Sequence, residues 1–484
     1  MEEKEEAAGI TAKKGENFDE WYTQVMIHSK FVDYTKVSGC LAFRPDGYFA
    51  WEAIQAATDS LFKKEGILNT YFPLLIPKSL LAKEAEHIKG FSPEVAWVTR
   101  TGDSELSEHL AVRPTSETIM YDSISGWVRS WRDLPMRLNQ WNSVLRWEFK
   151  HPTPLLRSRE FLWNEGHSVF ASQKEADAER DPILGIYLKI LKDYLALPGI
   201  AGRKSESEKF AGAVASYSIE HILPDGRAIQ GPDFHSDGQN FSKAYNISFI
   251  NKEGKQEYAY QNTFAISTRE LGVMVAIHGD DRGLVMPPKL ARIQVVIVPI
   301  YNDKNKEQVL KEAGKLYATL KDKFRVHLDD RDVYSPGWKF NEWELKGVPI
   351  RLELGGREIS SNKVVMVSRI ASGKETVPTE DAISKIAALL EKINDDMYKK
   401  ADALLKSSTH PADKYDELKQ AIKSKGGFVQ AAWCGSASCE SRVKEDTGAK
   451  ITNMPLDVQD KAKTKRCIVC DSPAKHIANF AKSY

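Results

Sequence analysis

Two arginines sit inside otherwise apolar runs: Arg146 in Val144-Leu145-Arg146-Trp147-Glu148-Phe149, and Arg159 in Leu155-Leu156-Arg157-Ser158-Arg159-Glu160-Phe161-Leu162-Trp163. Burying an unpaired guanidinium costs several kcal/mol, so each must face a carboxylate or an anionic ligand. Between the runs, Lys150-His151-Pro152-Thr153-Pro154 carries two prolines and reads as the connection of a hairpin. Two paired strands would then present Arg146, Glu148, Arg159 and Glu160 on one surface. The planar fork of arginine makes two parallel charge-assisted bonds to phosphate or carboxylate, so this surface is a candidate nucleotide site. The competing reading is a cross-strand ion-pair ladder with no ligand. No Gly-x-x-x-x-Gly-Lys-Ser/Thr loop is present, and no Gly-x-Gly-x-x-Gly opens a helix. Phosphates would therefore have to be held by side chains.

Other segments carry matching chemistry. In Arg113-Pro114-Thr115-Ser116-Glu117-Thr118 a hydroxyl and a carboxylate lie two residues apart, a good match for an amine with two N–H donors. The same residues also suit the start of a helix. Further on, Gln230 and His235 lie in Gly226-Arg227-Ala228-Ile229-Gln230-Gly231-Pro232-Asp233-Phe234-His235, and Ser267-Thr268-Arg269 supplies another arginine. Taken singly, His235 reads as a satisfied polar residue before it reads as a ligand contact. Of five cysteines, Cys434 and Cys439 are separated by four residues and Cys467 and Cys470 by two, with 27 between the pairs. Two close pairs in a reducing compartment suit a tetrahedral metal better than disulfides, the alternative being free buried thiols. Cys40 reads as a small core residue.

These groups need a frame to position them. A chain of 484 residues is too long for one core and should divide into roughly two to four domains. Composition is that of a soluble protein, 42% hydrophobic and 28% charged. No apolar run approaches the roughly 20 residues of a membrane span, and the charged start predicts a cytoplasmic protein without a signal peptide. The net charge of +1 neither supports nor excludes RNA, because phosphate affinity comes from local clusters. Residues 1–16, rich in Glu, Lys and Ala, read as a disordered tail. Tyr71-Phe72-Pro73-Leu74-Leu75-Ile76-Pro77 reads as an apolar strand at a sheet edge or interface, and Val273 to Gly279 as a buried helix or strand. Beyond Met286-Pro287-Pro288, the run Ile293 to Val298 reads as a strand buried on both faces. Apolar residues at Val309, Leu310, Ala313, Leu316, Tyr317 and Leu320 follow at helical spacing. Strands at 326–328, 350–354 and 363–367 complete a compact α/β unit, and a long helix from about Glu380 leads to the cysteines.

Together these segments resemble the class II aminoacyl-tRNA synthetases, and among them the prolyl-tRNA synthetases of the archaeal and eukaryotic cytosolic type. The marks are Arg113-Pro114-Thr115-Ser116-Glu117, Arg146-Trp147-Glu148-Phe149-Lys150-His151, Arg159-Glu160-Phe161-Leu162-Trp163, Glu165-Gly166-His167 and His278-Gly279-Asp280-Asp281-Arg282-Gly283-Leu284. The resemblance spans about residue 17 to Tyr484. It implies an α/β (α+β) chain with a class II antiparallel-sheet catalytic domain at 17–290, an α/β anticodon-binding domain at 291–400 and a small zinc-bearing C-terminal domain at 401–484. The implied activity is ATP-dependent activation of L-proline to prolyl adenylate and transfer to tRNA(Pro). Arg146 would bridge the ATP α-phosphate and the proline carboxylate, paired with Glu148. Arg157 and Arg269 would hold the outer phosphates, Phe161 would stack on adenine, and Gln230 and Ser267 would touch the nucleotide. Thr115 and Glu117 would take the proline ammonium, with Trp163, Phe210 and His235 around the ring. Arg159 would be a structural partner of nearby carboxylates.

The resemblance further implies Mg2+ on the phosphates, a structural Zn2+ on Cys434, Cys439, Cys467 and Cys470, and a homodimer built on Tyr71 to Pro77. Trp338-Lys339-Phe340-Asn341-Glu342-Trp343 would be a base-reading surface, or else ordinary packing. Asp233-Phe234 and Phe264-Ala265 depart from the family pattern. The 122 residues between Arg146 and Arg269 leave no room for the editing insertion of bacterial relatives. Two rivals are a non-catalytic relative, which would erode the phosphate-binding arginines, and a synthetase for another small amino acid, which would replace Thr115, Glu117 and the ring pocket.

Overall fold

The strands Met136–Leu145 and Glu160–Phe170 pair antiparallel over their whole length, from Met136 opposite Val169 to Leu145 opposite Glu160. Their apolar content is split between this ladder and the core it covers, which is the usual origin of a long, half-polar hairpin. Tyr260–Ala265 pairs with Glu160–Phe170, Ala228–Gly238 with Tyr260–Ala265, Ala215–Ile222 with Ala228–Gly238, and Ile200–Arg203 with Ala215–Ile222, all antiparallel. The helix Gln173–Asp193, opened by a Ser172/Glu175 capping box, buries Ile183, Leu184, Tyr187, Ile190 and Leu191 against one face. Helices Phe18–His28 and Pro45–Lys64 add Trp21, Tyr22, Ile54 and Phe62 to the same core. This computed structural model describes residues 9–87 and 94–484.

The antiparallel sheet does not stop with the catalytic strands. Ile200–Arg203 also pairs with Lys450–Pro455, through Met454 opposite Arg203 and Pro455 opposite Gly202. Strands Thr409–Pro411, Phe428–Trp433 and His476–Ala481 continue beyond it, so one sheet of eleven strands joins the two regions among the described residues.

The region in between has its own five-stranded sheet. Val295–Ile300 pairs parallel with Val326–Leu328 and Ile350–Gly355, and Lys363–Ser368 and Glu375–Pro378 extend it antiparallel. Val295 to Val298 are buried on both faces, as the unbroken apolar run predicts. Helix Lys306–Leu320 buries Val309, Ala313, Leu316 and Leu320, with Leu310 and Tyr317 half-buried at the edge of the stripe. Ala382–Ser407 is the long helix, its buried stripe running Ile386, Leu390, Ile393, Met397, Ala401 and Leu405. Within helix Pro336–Leu345, Lys339 and Trp343 are packing residues: Lys339 Nζ donates to the Asp329 carbonyl at 3.0 Å and Trp343 Nε1 to its carboxylate at 2.8 Å.

Several expectations change. The hairpin strands end at Leu145 and resume at Glu160, so Arg146 and Arg159 flank a long connection instead of lying within strands. Pro152 and Pro154 cannot donate ladder bonds, and Leu155 takes φ 59°. Leu155 and Leu156 are apolar because they plug the core, where the Tyr22 hydroxyl donates to the Pro154 carbonyl at 2.8 Å. Of Tyr71 to Pro77 only Leu75–Pro77 is strand. The segment before Gly279 is the helix Arg269–His278. Residues 1–8 of the expected disordered tail lie outside the described residues. From residue 9 to 16 the expectation is corrected, because the segment is tied down: Gln24 Oε1 accepts the Thr11 backbone N–H at 2.8 Å, and Lys14 Nζ caps the end of helix Arg269–His278 at Ile277 O (3.0 Å) and Gly279 O (2.6 Å). Among the described residues, no helix is long and apolar enough to cross a membrane.

Candidate active site

Strand Glu160–Phe170 turns one carboxylate inward, Glu165, which is 3% exposed. Its oxygens are filled: the Ser116 backbone N–H donates at 2.8 Å, Asn142 Nδ2 at 2.8 Å and Gln140 Nε2 at 3.3 Å. The Ser116 hydroxyl adds a further bond. Thr115 Oγ1 lies 3.1 Å from Glu165 Oε1 and also contacts Glu117. Glu117 begins helix Glu117–Trp127, where a negative charge is favoured by the helix dipole. Glu165 thus holds Thr115 and Glu117 side by side, two acceptors facing one cavity.

Arg146 leaves the end of strand Met136–Leu145 and donates from Nε to the Pro114 carbonyl at 2.8 Å. Its guanidinium carbon sits 5.4 Å from the Phe161 ring and 5.1 Å from the Trp163 ring. Trp163 is itself fixed by Nε1 donating to Asn142 Oδ1 at 2.6 Å. Arg269, at the start of helix Arg269–His278, donates to the Gln230 carbonyl at 3.1 Å and the Leu156 carbonyl at 3.3 Å. Ser267 Oγ accepts the Arg269 backbone N–H at 3.3 Å. Burial pulls the Arg269 pKa down; Glu270 opposes this, and the like charge of Arg146 adds to it. Two mutually repelling guanidiniums bonded to carbonyl oxygens are arranged so that they could receive an anion.

The opposite wall comes from the loop between Ile200–Arg203 and Ala215–Ile222. Phe210 stacks on His235 with centroids 4.7 Å apart and planes at 20°. Ser216 Oγ joins the two, accepting the Phe210 N–H at 2.9 Å and lying 2.8 Å from His235 Nδ1. Burial holds the His235 pKa below its ordinary value, which favours a neutral ring. Asp233 accepts from Gln230 Nε2 at 3.0 Å and stands 3.7 Å from His235 Nε2. Thr115, Glu117, Arg146, Trp163, Phe210, Gln230 and His235 line one cavity of about 250 Å³.

Three stretches match family models: "tRNA synthetase class II core domain (G, H, P, S and T)" over residues 97–278, "Anticodon binding domain" over 294–389, and "Prolyl-tRNA synthetase, C-terminal" over 415–484. Proline–tRNA ligases from Natranaerobius thermophilus and Alkaliphilus oremlandii are 45% and 47% identical to the chain. Each alignment covers 97% of this chain, with 97% and 96% of those proteins. The archaeal enzyme of Cenarchaeum symbiosum is 44% identical over 98% of this chain and 99% of its own. The chain belongs to the prolyl-tRNA synthetases. A crystal structure of the Cryptosporidium parvum prolyl-tRNA synthetase, in complex with halofuginone and AMPPNP, superposes with a TM-score of 0.94 at 42% identity, covering 98% of this chain and 99% of that one. The chain is accordingly a class II ligase that joins proline to tRNA.

In this synthetase the four late cysteines converge. Their sulfur atoms all lie within 4.8 Å of one another, with Cys434 3.7 Å from Cys439 and from Cys470. Four thiolates at about 2.3 Å from one tetrahedral ion stand roughly 3.8 Å apart, so the set fits zinc.

Not every expected nucleotide contact gathers at the cavity. Phe161 lies beside Trp163, ring edge to face at 5.5 Å. Glu148 stands exposed on the connection. Arg157 is exposed, its Nη2 donating to the backbone oxygen of the last residue, Tyr484, whose ring lies 5.9 Å from the guanidinium. Arg159 departs from its expected role as a partner of carboxylates: it donates to the Phe149 carbonyl at 2.9 Å and the Ser38 carbonyl at 3.0 Å, and lies over Trp147 at 4.3 Å. Carbonyl oxygens of two loops are closer to hand than any acid, and they satisfy a half-buried guanidinium. Glu165, Asn142 and Ser216 were not singled out as site residues. For Glu165 the signal was present, a charge inside a strand more buried than the run holding Arg146.

Proposed function

We propose that the cavity takes the proline and that ATP lies across Arg146 and Arg269. The observation that carries this reading is that Arg146, whose guanidinium is bonded to one carbonyl, lines the same cavity as the two acceptors Thr115 and Glu117, with the like charge of Arg269 close behind it. Proline is a secondary ammonium with two N–H donors, matching one hydroxyl and one carboxylate. Its ring would lie between Trp163, Phe210 and His235, and its carboxylate would meet Arg146. That carboxylate attacks the α-phosphorus of ATP and pyrophosphate leaves, so no protein nucleophile is needed. Arg146, fixed by Pro114 and the two rings, aligns the reacting oxygen and neutralises charge gained on the α-phosphate. Arg269 would hold an outer phosphate. Arg157 would do the same by exchanging the Tyr484 backbone oxygen for phosphate oxygen. Phe161 would cover the adenine, with Gln230, Ser267 and Glu148 as further nucleotide contacts. The relative solved with AMPPNP supports a nucleotide here. In a second step the terminal ribose hydroxyl of tRNA attacks the adenylate carbonyl and AMP leaves.

The nearby carboxylates are largely committed: Glu165 as described, Glu220 to Lys204 at 2.6 Å, and Asp233 to Gln230. This suits Mg2+ carried on phosphate oxygens with one or two protein contacts, where it would offset phosphate charge. Zn2+ on the four cysteines would be structural. The tRNA(Pro) anticodon is assigned to the cavity of about 450 Å³ lined by Phe340, Asn341, Arg351 and Lys374, where Arg351 stacks on Phe340 at 4.1 Å. The catalytic, anticodon-binding and C-terminal functions are assigned to residues 17–290, 291–400 and 401–484. A homodimer is supported by the exposed apolar residues Leu68, Tyr71, Leu74, Trp97 and Trp127 near strand Leu75–Pro77, and a cytoplasmic location is proposed from the family alone. Pyrophosphate exchange tests the reading: proline with ATP and Mg2+ is expected to support exchange, and exchange driven by another amino acid but not by proline would overturn it.

A further inference from the structure

The loop that carries Phe210 is held from outside the catalytic fold. At its start Lys204 is anchored to Glu220 at 2.6 Å, and at Phe210 the backbone N–H is anchored to Ser216. Between those points, Glu206 pairs with the adjacent Arg203 at 3.6 Å, and the side-chain ties that leave the catalytic region go to two groups of the C-terminal region. Ser205, 1% exposed, donates from Oγ to Glu440 Oε1 at 2.7 Å, and Glu440 is only 7% exposed. Glu208, which lines the proline cavity, is ion-paired with Lys450. Ser205 organises the turn that follows, since its carbonyl accepts the backbone N–H groups of Glu208 at 3.2 Å and Lys209 at 3.0 Å. Glu440 in turn follows Cys439 directly, in the first turn of helix Ala437–Thr447. A metal on Cys439 would fix that turn and therefore the carboxylate. The strand Lys450–Pro455 pairs with Ile200–Arg203, so the Lys450 clamp springs from the sheet that leads into the loop, and the Glu440 clamp from the helix just before that strand.

We propose that Glu440 and Lys450 are positioning residues for the proline pocket: they clamp Ser205 and Glu208, and so make the four-cysteine region set the affinity for proline. This rests on the reading that Phe210 and His235 wall the pyrrolidine ring. A buried hydrogen bond to a carboxylate fixes the middle of a loop whose other ties lie at or near its two ends, so its loss acts on proline binding and leaves the phosphate end, built on the hairpin, unaffected.

The test uses the full-length, zinc-loaded protein. Glu440→Ala is expected to raise the KM for proline about tenfold. The kcat and the KM for ATP are expected to stay within about twofold, and amide exchange in residues 204–210 is expected to rise. Ser205→Ala should give the same shift, the double variant should be no worse than either single, and Glu440→Gln, which keeps an acceptor, should restore the wild-type KM. Lys450→Ala should give a smaller rise. An unchanged proline KM and unchanged exchange in Glu440→Ala, an equal rise in the KM for ATP, or additive effects in the double variant would overturn the proposal. If Glu440→Ala does not fold, Ser205→Ala decides alone. Zinc-depleted protein that keeps its circular dichroism is expected to bind proline more weakly in equilibrium dialysis; undiminished binding would overturn the link to the cysteines. Phe210→Ala separates the two readings: if it leaves the proline KM unchanged, the pocket assignment fails, whereas a raised KM there beside a silent Glu440→Ala defeats the clamp alone.

Discussion

The wall of the cavity formed by Met136–Leu145 and Glu160–Phe170 is locked by ten residue pairs and by the bonds of Gln140, Asn142 and Glu165 across them. The wall that carries Phe210 has no such ladder. It is a loop held by separate bonds, among them Lys204 to Glu220, the Phe210 N–H to Ser216, and Ser205 and Glu208 to Glu440 and Lys450 of the C-terminal region. The difference follows the work each side would do. Charge stabilisation in a transition state needs donors that do not reorganise, so the guanidinium of Arg146 sits on the self-supporting wall. Discrimination by ring shape tolerates a wall whose position is set from elsewhere.

Substitutions should separate the walls. The largest effect is expected for Arg146→Ala, which should lower proline-dependent pyrophosphate exchange by about 10³-fold, roughly 4 kcal/mol. Arg146→Lys should recover little, because an ammonium cannot bridge two oxyanions with one planar fork. Rates near wild type in either variant would remove the hairpin from the chemistry.

Next is Glu165→Ala, which empties the centre of the hairpin wall and leaves Ser116, Asn142 and Gln140 with unmet donors. We expect about 3 kcal/mol less stability in urea unfolding together with a lower kcat/KM for proline. A loss of stability with unchanged kinetics would mean that Thr115 and Glu117 hold their places without it. Phe210→Ala acts on the other wall, where about 1–2 kcal/mol of ring contact should appear as a roughly tenfold higher KM for proline with kcat little changed.

The smallest effect concerns pH and the tie between the two sides. His221 Nε2, on strand Ala215–Ile222, lies 3.2 Å from Glu270 Oε2, next in sequence to Arg269, and both side chains are fully buried. Burial pulls the His221 pKa down, but the Glu270 carboxylate and the Pro198 carbonyl outweigh it and hold the value above the ordinary one. A raised folded-state pKa means stability present in full below the unfolded value and lost as pH rises through the folded one. The urea midpoint should therefore decline as pH rises above about 6.5, and His221→Gln should flatten that decline. An identical pH profile in the variant would show that the pair does not titrate over that interval.

Much of the scaffold was legible from local pattern. The run from Ile293 to Val298, the stripe from Val309 to Leu320 and the long helix after Glu380 all fall where periodicity puts them, because burial of a face repeats along a few turns or pleats. The cysteine spacing identified four sulfurs that do converge. Periodicity failed in the connection between the hairpin strands. There Leu155 and Leu156 are apolar as core plugs, and an apolar pair looks the same in a strand and in a buried loop.

By itself, then, the sequence determined which segments are buried, that two arginines stand in apolar runs and need partners, and which family the motifs belong to. Only the tertiary structure decided who bonds to whom: Arg159 to loop carbonyls, Arg157 to the terminal Tyr484, Ser205 to Glu440 and Ile200–Arg203 to Lys450–Pro455. The physical reason is that burial is a property of a residue and its near neighbours along the chain. A hydrogen-bond partner is whatever complementary group the fold brings within about 3 Å, from hundreds of residues away as readily as from the next turn.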